Sequence, residues 1–118
     1  MASTVFARTF RYRNPRSEEV WRSVLSNKNA LPKSIFVGLP EEHADFESYF
    51  GITVPYYKCA TLLEMAEVIA GSNQLFGNQS VAYAIAQGLG KNTCLETIPD
   101  RSLQENECFF DRSGCAYF

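Results

Sequence analysis

This chain has little of what most catalytic or metal-binding signatures require. It has one histidine, His43, and its four cysteines, Cys59, Cys94, Cys108 and Cys115, form no Cys-x-x-Cys pair. No metal site is therefore expected, because zinc sites need clustered thiolates and imidazoles at fixed spacing. There is no excess of positive charge: the formal net charge is −2 and the isoelectric point about 5.4, so the overall field does not favour nucleic acid or an anionic membrane surface. Apolar runs fall far short of the about 20 residues that span a bilayer, so no membrane span is expected. The start, Met1 to Arg8, offers no apolar stretch fit for a secretory signal, and a cytoplasmic protein is the default expectation. In a reducing compartment the cysteines are expected to stay as thiols. Cys59 and Cys94 act as small buried hydrophobes, and a Cys108–Cys115 disulfide across a turn is the alternative for the tail.

What is present is the composition of an ordinary globular domain, 118 residues with 46% apolar and 20% charged side chains. That length encloses one core, so residues 1–118 are read as a single domain. The pattern alternates. Thr4 to Phe10 is rich in β-branched and aromatic residues and predicts a strand. Asn14-Pro15 opens a helix with a cap and a first-turn proline, and Val20, Trp21, Val24 and Leu25 give it an apolar stripe. Ser34 to Val37 predicts a second strand, Pro40 to Phe50 a second helix with acidic residues in its first turn, and Val54 to Tyr57 a third strand. Thr61-Leu-Leu-Glu64 matches a capping box for a third helix, with Leu62, Met65, Ala66 and Ile69 as its buried face. Gln74 to Phe76, Ser80 to Leu89 and Thr93 to Thr97 complete the rhythm as strand, small-residue helix and strand. The aromatic tail, Cys108 to Phe118, is expected to form a hairpin or an added strand.

Strand and helix in alternation imply a parallel sheet covered on both faces, a three-layer α/β/α Rossmann-like domain. Right-handed crossovers favour the strand order 3-2-1-4-5. Ligands of such sheets bind beyond the carboxyl ends of the strands where the order reverses, here between the first and fourth strands. Two loops meet there. Phe10 to Asn14 brings Arg11 and Arg13, whose guanidinium groups suit phosphate oxygens. Gly77, Asn78, Gln79 and Ser80 bring a close backbone approach and a helix N-terminus. These six residues are the candidate ligand site. The plainer alternatives are that Arg8, Arg11 and Arg13 share an exposed face of an edge segment, and that Gly77-Asn78 is only a turn with Ser80 as helix cap. Glu96 and Asp100 are expected as solvated loop carboxylates, His43 as a surface residue, and Tyr56 and Tyr57 as strand residues facing opposite ways.

Thr61 to Ala86 resembles the C-terminal half of heptosyltransferase-type glycosyltransferases of the GT-B fold, in which a helix of the LAELIAGA kind leads to a strand and a Gly-Asn-Asp-Ser-Gly-x-x-His-x-Ala motif. Weaker similarity extends to the first strand with its arginine loop, to Trp21, and to Phe36-Val-Gly38 followed by Glu42. The resemblance implies a half that binds the nucleotide and diphosphate of an activated sugar, while the other half holds the acceptor and usually the catalytic base. Asn78 and Ser80 match the motif. Gln79 stands where the family has Asp, Val81 where it has Gly, and Ala84 where it has His. The expectation is thus a binding module for a nucleotide or nucleotide-sugar, with no catalytic residue assigned and no cofactor. It is not expected to be a complete glycosyltransferase alone. The alternatives are a glycosyltransferase subunit needing a separate acceptor-domain chain and an interaction protein that kept the fold and lost the site. A homodimer or a partner chain is also expected, because Phe109, Phe110, Tyr117 and Phe118 crowd the end of so short a chain.

Overall fold

The computed structural model describes residues 2–29, 31–99 and 113–118. Five strands, β1 (Thr4–Ala7), β2 (Ser34–Phe36), β3 (Gln74–Asn78), β4 (Asn92–Glu96) and β5 (Cys115–Tyr117), form one sheet in the order β2-β1-β3-β4-β5. Every pairing is parallel. Four helices cover it: α1 (Glu18–Leu25), α2 (Pro40–Phe50), α3 (Leu62–Ala70) and α4 (Val81–Gly88). The chain turns back at β1, which lies between β2 and β3, so the reversal of strand order falls between β1 and β3 as the sequence pattern predicts.

The expected third strand, 54–57, is reduced to one parallel bridge between Phe36 and Tyr56 at the β2 edge. Pro55 lies inside it and has no N–H to give; its carbonyl accepts from Phe36 N, and Tyr57 N donates back to Phe36 O. The rest of the order 3-2-1-4-5 is kept, and the tail adds a strand beyond it. β5 runs parallel to β4, which rules out a hairpin between those two, and Phe118 packs on Trp21 and Phe76 at 5.8 and 5.0 Å. Within the described residues Tyr117 and Phe118 pack against the two core clusters and are half-buried. Phe109, Phe110 and Cys108 lie outside the described residues, and with Cys108 the Cys108–Cys115 pairing.

The two faces differ in chemistry because strand alternation sends different side chains to each. Val5, Val37, Leu75 and Leu95 meet Ile69 of α3 and Ala82, Tyr83 and Ala86 of α4, so small residues let α4 lie close to the sheet. On the other face Phe6, Phe36 and Phe76 meet Trp21 of α1 and Phe46 and Phe50 of α2. Trp21 and Phe76 touch edge to face at 4.7 Å between centroids.

Local chemistry fixes the helix starts. Asn14 accepts from Arg16 N and caps a 3-10 turn, Pro15–Ser17, so α1 itself begins three residues later than the Asn-Pro signal. Thr61 Oγ1 accepts from Glu64 N, while the Glu64 carboxylate reaches back to Ala60 N instead of Thr61 N. Only Ile69 of the predicted buried face of α3 is fully buried; Met65 and Ala66 are half-buried and Leu62 is exposed. In α1, Trp21 and Leu25 are buried, while Val20 is exposed.

Candidate functional site

The carboxyl end of the sheet is organised by a residue that local pattern places in solvent. Glu96, the last residue of β4, is fully buried. Its parity along β4 puts it on the same face as Cys94, above the aromatic cluster. Five donors converge on it. Arg8 Nε and Nη2 reach Oε1 and Oε2 at 2.9 and 3.0 Å, a bidentate pair. Trp21 Nε1 donates to Oε1 at 3.1 Å, and Asn14 N and Ser17 Oγ donate to Oε2 at 2.9 and 2.6 Å. Burial pushes the pKa of Glu96 up, but the Arg8 guanidinium, the Asn14 amide and the Ser17 hydroxyl together outweigh it and hold the carboxyl below its ordinary value.

Arg8 is equally removed from water, at 3% exposure. It follows β1, a central strand, so the expectation of an exposed arginine row on an edge segment fails at its first member. Its guanidinium lies 5.2 to 5.5 Å from the ring centroids of Tyr49, Phe50 and Trp21, and Nη1 has no hydrogen-bond partner. These rings, and not a second hydrogen-bonded carboxylate, surround the guanidinium and give it cation–π contacts.

The Thr9–Arg13 loop is held from the other side by Asn78, also fully buried. Its Oδ1 accepts from Thr9 N at 2.9 Å, and its Nδ2 donates to Thr9 O and Arg11 O at 3.1 and 2.8 Å. Asn78 is therefore a clamp between β3 and the β1–α1 loop, not a free ligand contact. Arg13 is committed as well: Nε donates to Thr9 O at 2.7 Å, Nη2 pairs with Asp45 of α2 at 2.6 Å, and the group stacks over Phe10. Gly77 does provide a close approach, but to protein. A Cβ there would lie 2.2 Å from Ala7 O of the neighbouring strand. Ser80 caps α4, accepting from Tyr83 N at 3.3 Å, as the plainer reading has it. Gln79 is half-buried between them.

The two loops expected to meet do meet, since Asn78 bonds directly to the arginine loop. Of the six candidates, Arg11 is the one that stays exposed and charged with no acidic partner among the described residues; its guanidinium lies over the ring of Tyr12 at 5.6 Å. Tyr12 has a φ of +59°, a left-handed conformation that a bulky residue adopts only when its surroundings impose it. The loop tip Phe10-Arg11-Tyr12 is thus displayed outward from a rigid base.

Seven of the ten large apolar side chains that the described residues leave exposed belong to segments at this end: Phe10 and Tyr12 after β1, Leu39 after β2, Tyr57, Leu62 and Leu63 around the start of α3, and Val81 at the start of α4. No three His, Cys, Asp or Glu side chains among the described residues gather as metal ligands. The thiol of Cys94 is pushed up to about 11 by burial, which makes it a poor nucleophile. A separate hollow, lined by Lys28, Leu31, Pro32, Thr53 and Pro55, lies near the start of β2, away from the arginine loop.

His43 is not a plain surface residue. Its Nε2 lies 2.7 Å from Val54 O and 3.5 Å from Glu47, and its ring stacks on Tyr56 at 4.8 Å. Glu47 accepts from Val54 N, so His43 and Glu47 together pin the segment that carries the edge bridge. Tyr56 packs inward and Tyr57 outward, as alternation predicts. Asp100 lies outside the described residues. No helix among the described residues is long and apolar enough to cross a membrane. In comparison with known proteins, the chain matches no family model and no curated protein.

Proposed function

We propose that this chain is a binding module for a phosphorylated ligand of the nucleotide or nucleotide-sugar class, taken at the carboxyl edge between the arginine loop and the start of α4. The observation that carries the reading is the Asn78 clamp. It fixes the loop bearing Arg11 beside the residues that open α4, so an unpaired guanidinium and a helix N-terminus share one edge of the sheet. Arg11 and the backbone of Gln79 and Ser80 are the ligand contacts in this reading, and Arg13, Gly77 and Asn78 build the platform under them. In this reading the arrangement supplies charge and hydrogen-bond donors for binding, and no catalytic residue is assigned to it.

At an exposed edge the ligand stays partly wet, and the expected affinity is micromolar to millimolar, about 4 to 8 kcal/mol. Calorimetry with a panel of nucleoside diphosphates and diphospho-sugars tests this against Arg11→Ala. No heat from any member, or binding that Arg11→Ala leaves unchanged, would refute the reading. The apolar groups around the same edge favour a second reading, a domain whose role is association with another protein surface.

A further inference from the structure

The tip of the β1–α1 loop holds two aromatic rings in water. Phe10 is 55% exposed and Tyr12 36%. Burial of such rings is an ordinary source of stability, yet the loop is anchored so that they stay out. Arg11 O accepts from Asn78 Nδ2 at 2.8 Å and from Thr9 Oγ1 at 3.1 Å, which fixes the peptide plane leading into Tyr12. Two residues further on, Asn14 N is bonded to the buried carboxylate of Glu96. Between these anchors Tyr12 takes its left-handed φ of +59°. Each ring also has a guanidinium over it, Arg13 over Phe10 at 5.1 Å and Arg11 over Tyr12 at 5.6 Å. Arg13 is tethered to Thr9 O and to Asp45, so it is a fixed backing for the Phe10 ring. Arg11 has no acidic partner among the described residues, so its charge is left for a ligand.

We infer that Phe10 is the base-recognition element of the site proposed above: a purine base stacks on its open face while Arg11, held against Tyr12, takes the phosphates. The inference rests on the nucleotide reading and assigns the group which that reading leaves without a contact. A mononucleotide is a flat apolar plane joined to an anion. The loop presents the matching pair on consecutive residues, a flat ring and a free cation. The aliphatic side chains elsewhere at this edge offer area but no plane. A ring already backed and anchored loses little freedom when a base settles on it. The net charge of −2 disfavours a polynucleotide, so the ligand is a single nucleotide. Stacking reads no base edge, so adenine and guanine are accepted alike, and both above the smaller uracil.

Calorimetry with ADP, GDP, UDP and inorganic pyrophosphate is the test, run on the parent chain, Phe10→Leu, Phe10→Trp and Arg11→Ala, with thermal melting to check that each variant is folded. The parent is expected to bind ADP and GDP about tenfold more tightly than pyrophosphate, with UDP between them. Phe10→Leu keeps an apolar side chain but removes the plane, and brings the purine nucleotides down to the affinity of pyrophosphate. Phe10→Trp keeps the preference. Arg11→Ala weakens every member. In proton spectra the purine H8 signal of ADP moves upfield on the parent, as a stacked ring requires, and stays in place with Phe10→Leu. Equal binding of ADP and pyrophosphate, or a purine preference that survives Phe10→Leu, overturns the stacking inference and leaves the phosphate site standing. Absence of binding by every member overturns both.

Discussion

Glu96→Gln is the substitution with the largest expected consequence for its size. It exchanges one oxygen for an amide nitrogen and keeps the shape, so packing is preserved. In the native domain five donors point at the carboxylate, and Glu96 is the acid to which Arg8 is bonded, with Glu18 acting on the guanidinium only through space. The glutamine places an N–H₂ group among donors and leaves the guanidinium buried without a counter-charge. Removing one partner of a buried pair costs about 3–5 kcal/mol. Set against the about 5–15 kcal/mol that holds a domain of this kind together, that is at least about a fifth of the total. With a urea slope of about 2 kcal/mol per molar, the midpoint falls by about 2 M. Trp21 supplies the readout, since it is the one tryptophan and its indole N–H bonds to the residue being changed; circular dichroism checks that both probes follow one transition. Arg8→Met together with Glu96→Gln removes the stranded charge and recovers at least half of the loss. If Glu96→Gln lies within about 1 kcal/mol of the parent, the pair is not an energetic hub and the reasoning from burial is wrong.

Because the fold lowers the pKa of Glu96 from its ordinary 4.5, its contribution is fully present above that value and is lost as the pH falls below it toward the folded value. Urea titrations from neutrality to about pH 3 show this slope, and Glu96→Gln flattens it. Gly77→Ala drives a methyl group into Ala7 O and forces β1 and β3 apart, at a cost of about 3 kcal/mol or loss of soluble protein, read by thermal melting. Asn78→Ala removes the clamp while leaving the sheet, so amide hydrogen exchange at Thr9 to Arg13 speeds up by an order of magnitude or more, with a smaller change at Thr4 to Ala7. Cys94, with its thiol near 11, resists alkylation in the folded state at mildly alkaline pH and reacts on addition of denaturant.

The alternation of strands and helices was legible because each element carries its own period and its own caps, and those are local properties. Thr61, Ser80 and Pro40 mark helix starts within one residue of where they occur. The order of strands also followed, since crossover handedness leaves few choices. The site was less legible. Charged residues after a strand read as solvated, and Arg8 and Glu96 are separated by 88 positions, so nothing nearby in the chain reveals that each has the other. Parity holds the missing signal: Arg8 is two residues beyond Phe6 and Glu96 two beyond Cys94, which assigns both to the aromatic face. Asn78 lies at the expected end of the sheet, but its amide faces backbone from a loop 69 positions earlier, a contact no local pattern reveals. Of the tail's aromatics, Tyr117 and Phe118 find their place at the edge of the sheet against residues far away in the chain, which no local pattern could indicate.

The separation of Arg8 from Glu96 also governs when this domain comes together. During synthesis β1 emerges first, yet its neighbour β3 follows 70 residues later and the acid that neutralises Arg8 lies 88 residues beyond it. Until then the nascent chain carries a cation at a position destined for the interior, and the aromatic face cannot close over it without stranding that charge. Early collapse onto β1 is thereby disfavoured, and the final tightening waits for the last quarter of the chain, a high-contact-order assembly that proceeds slowly and late. A ribosome-bound chain ending before β4 should accordingly remain open to protease at its first helix, while one extended past Phe118 clear of the exit tunnel becomes resistant in a single step.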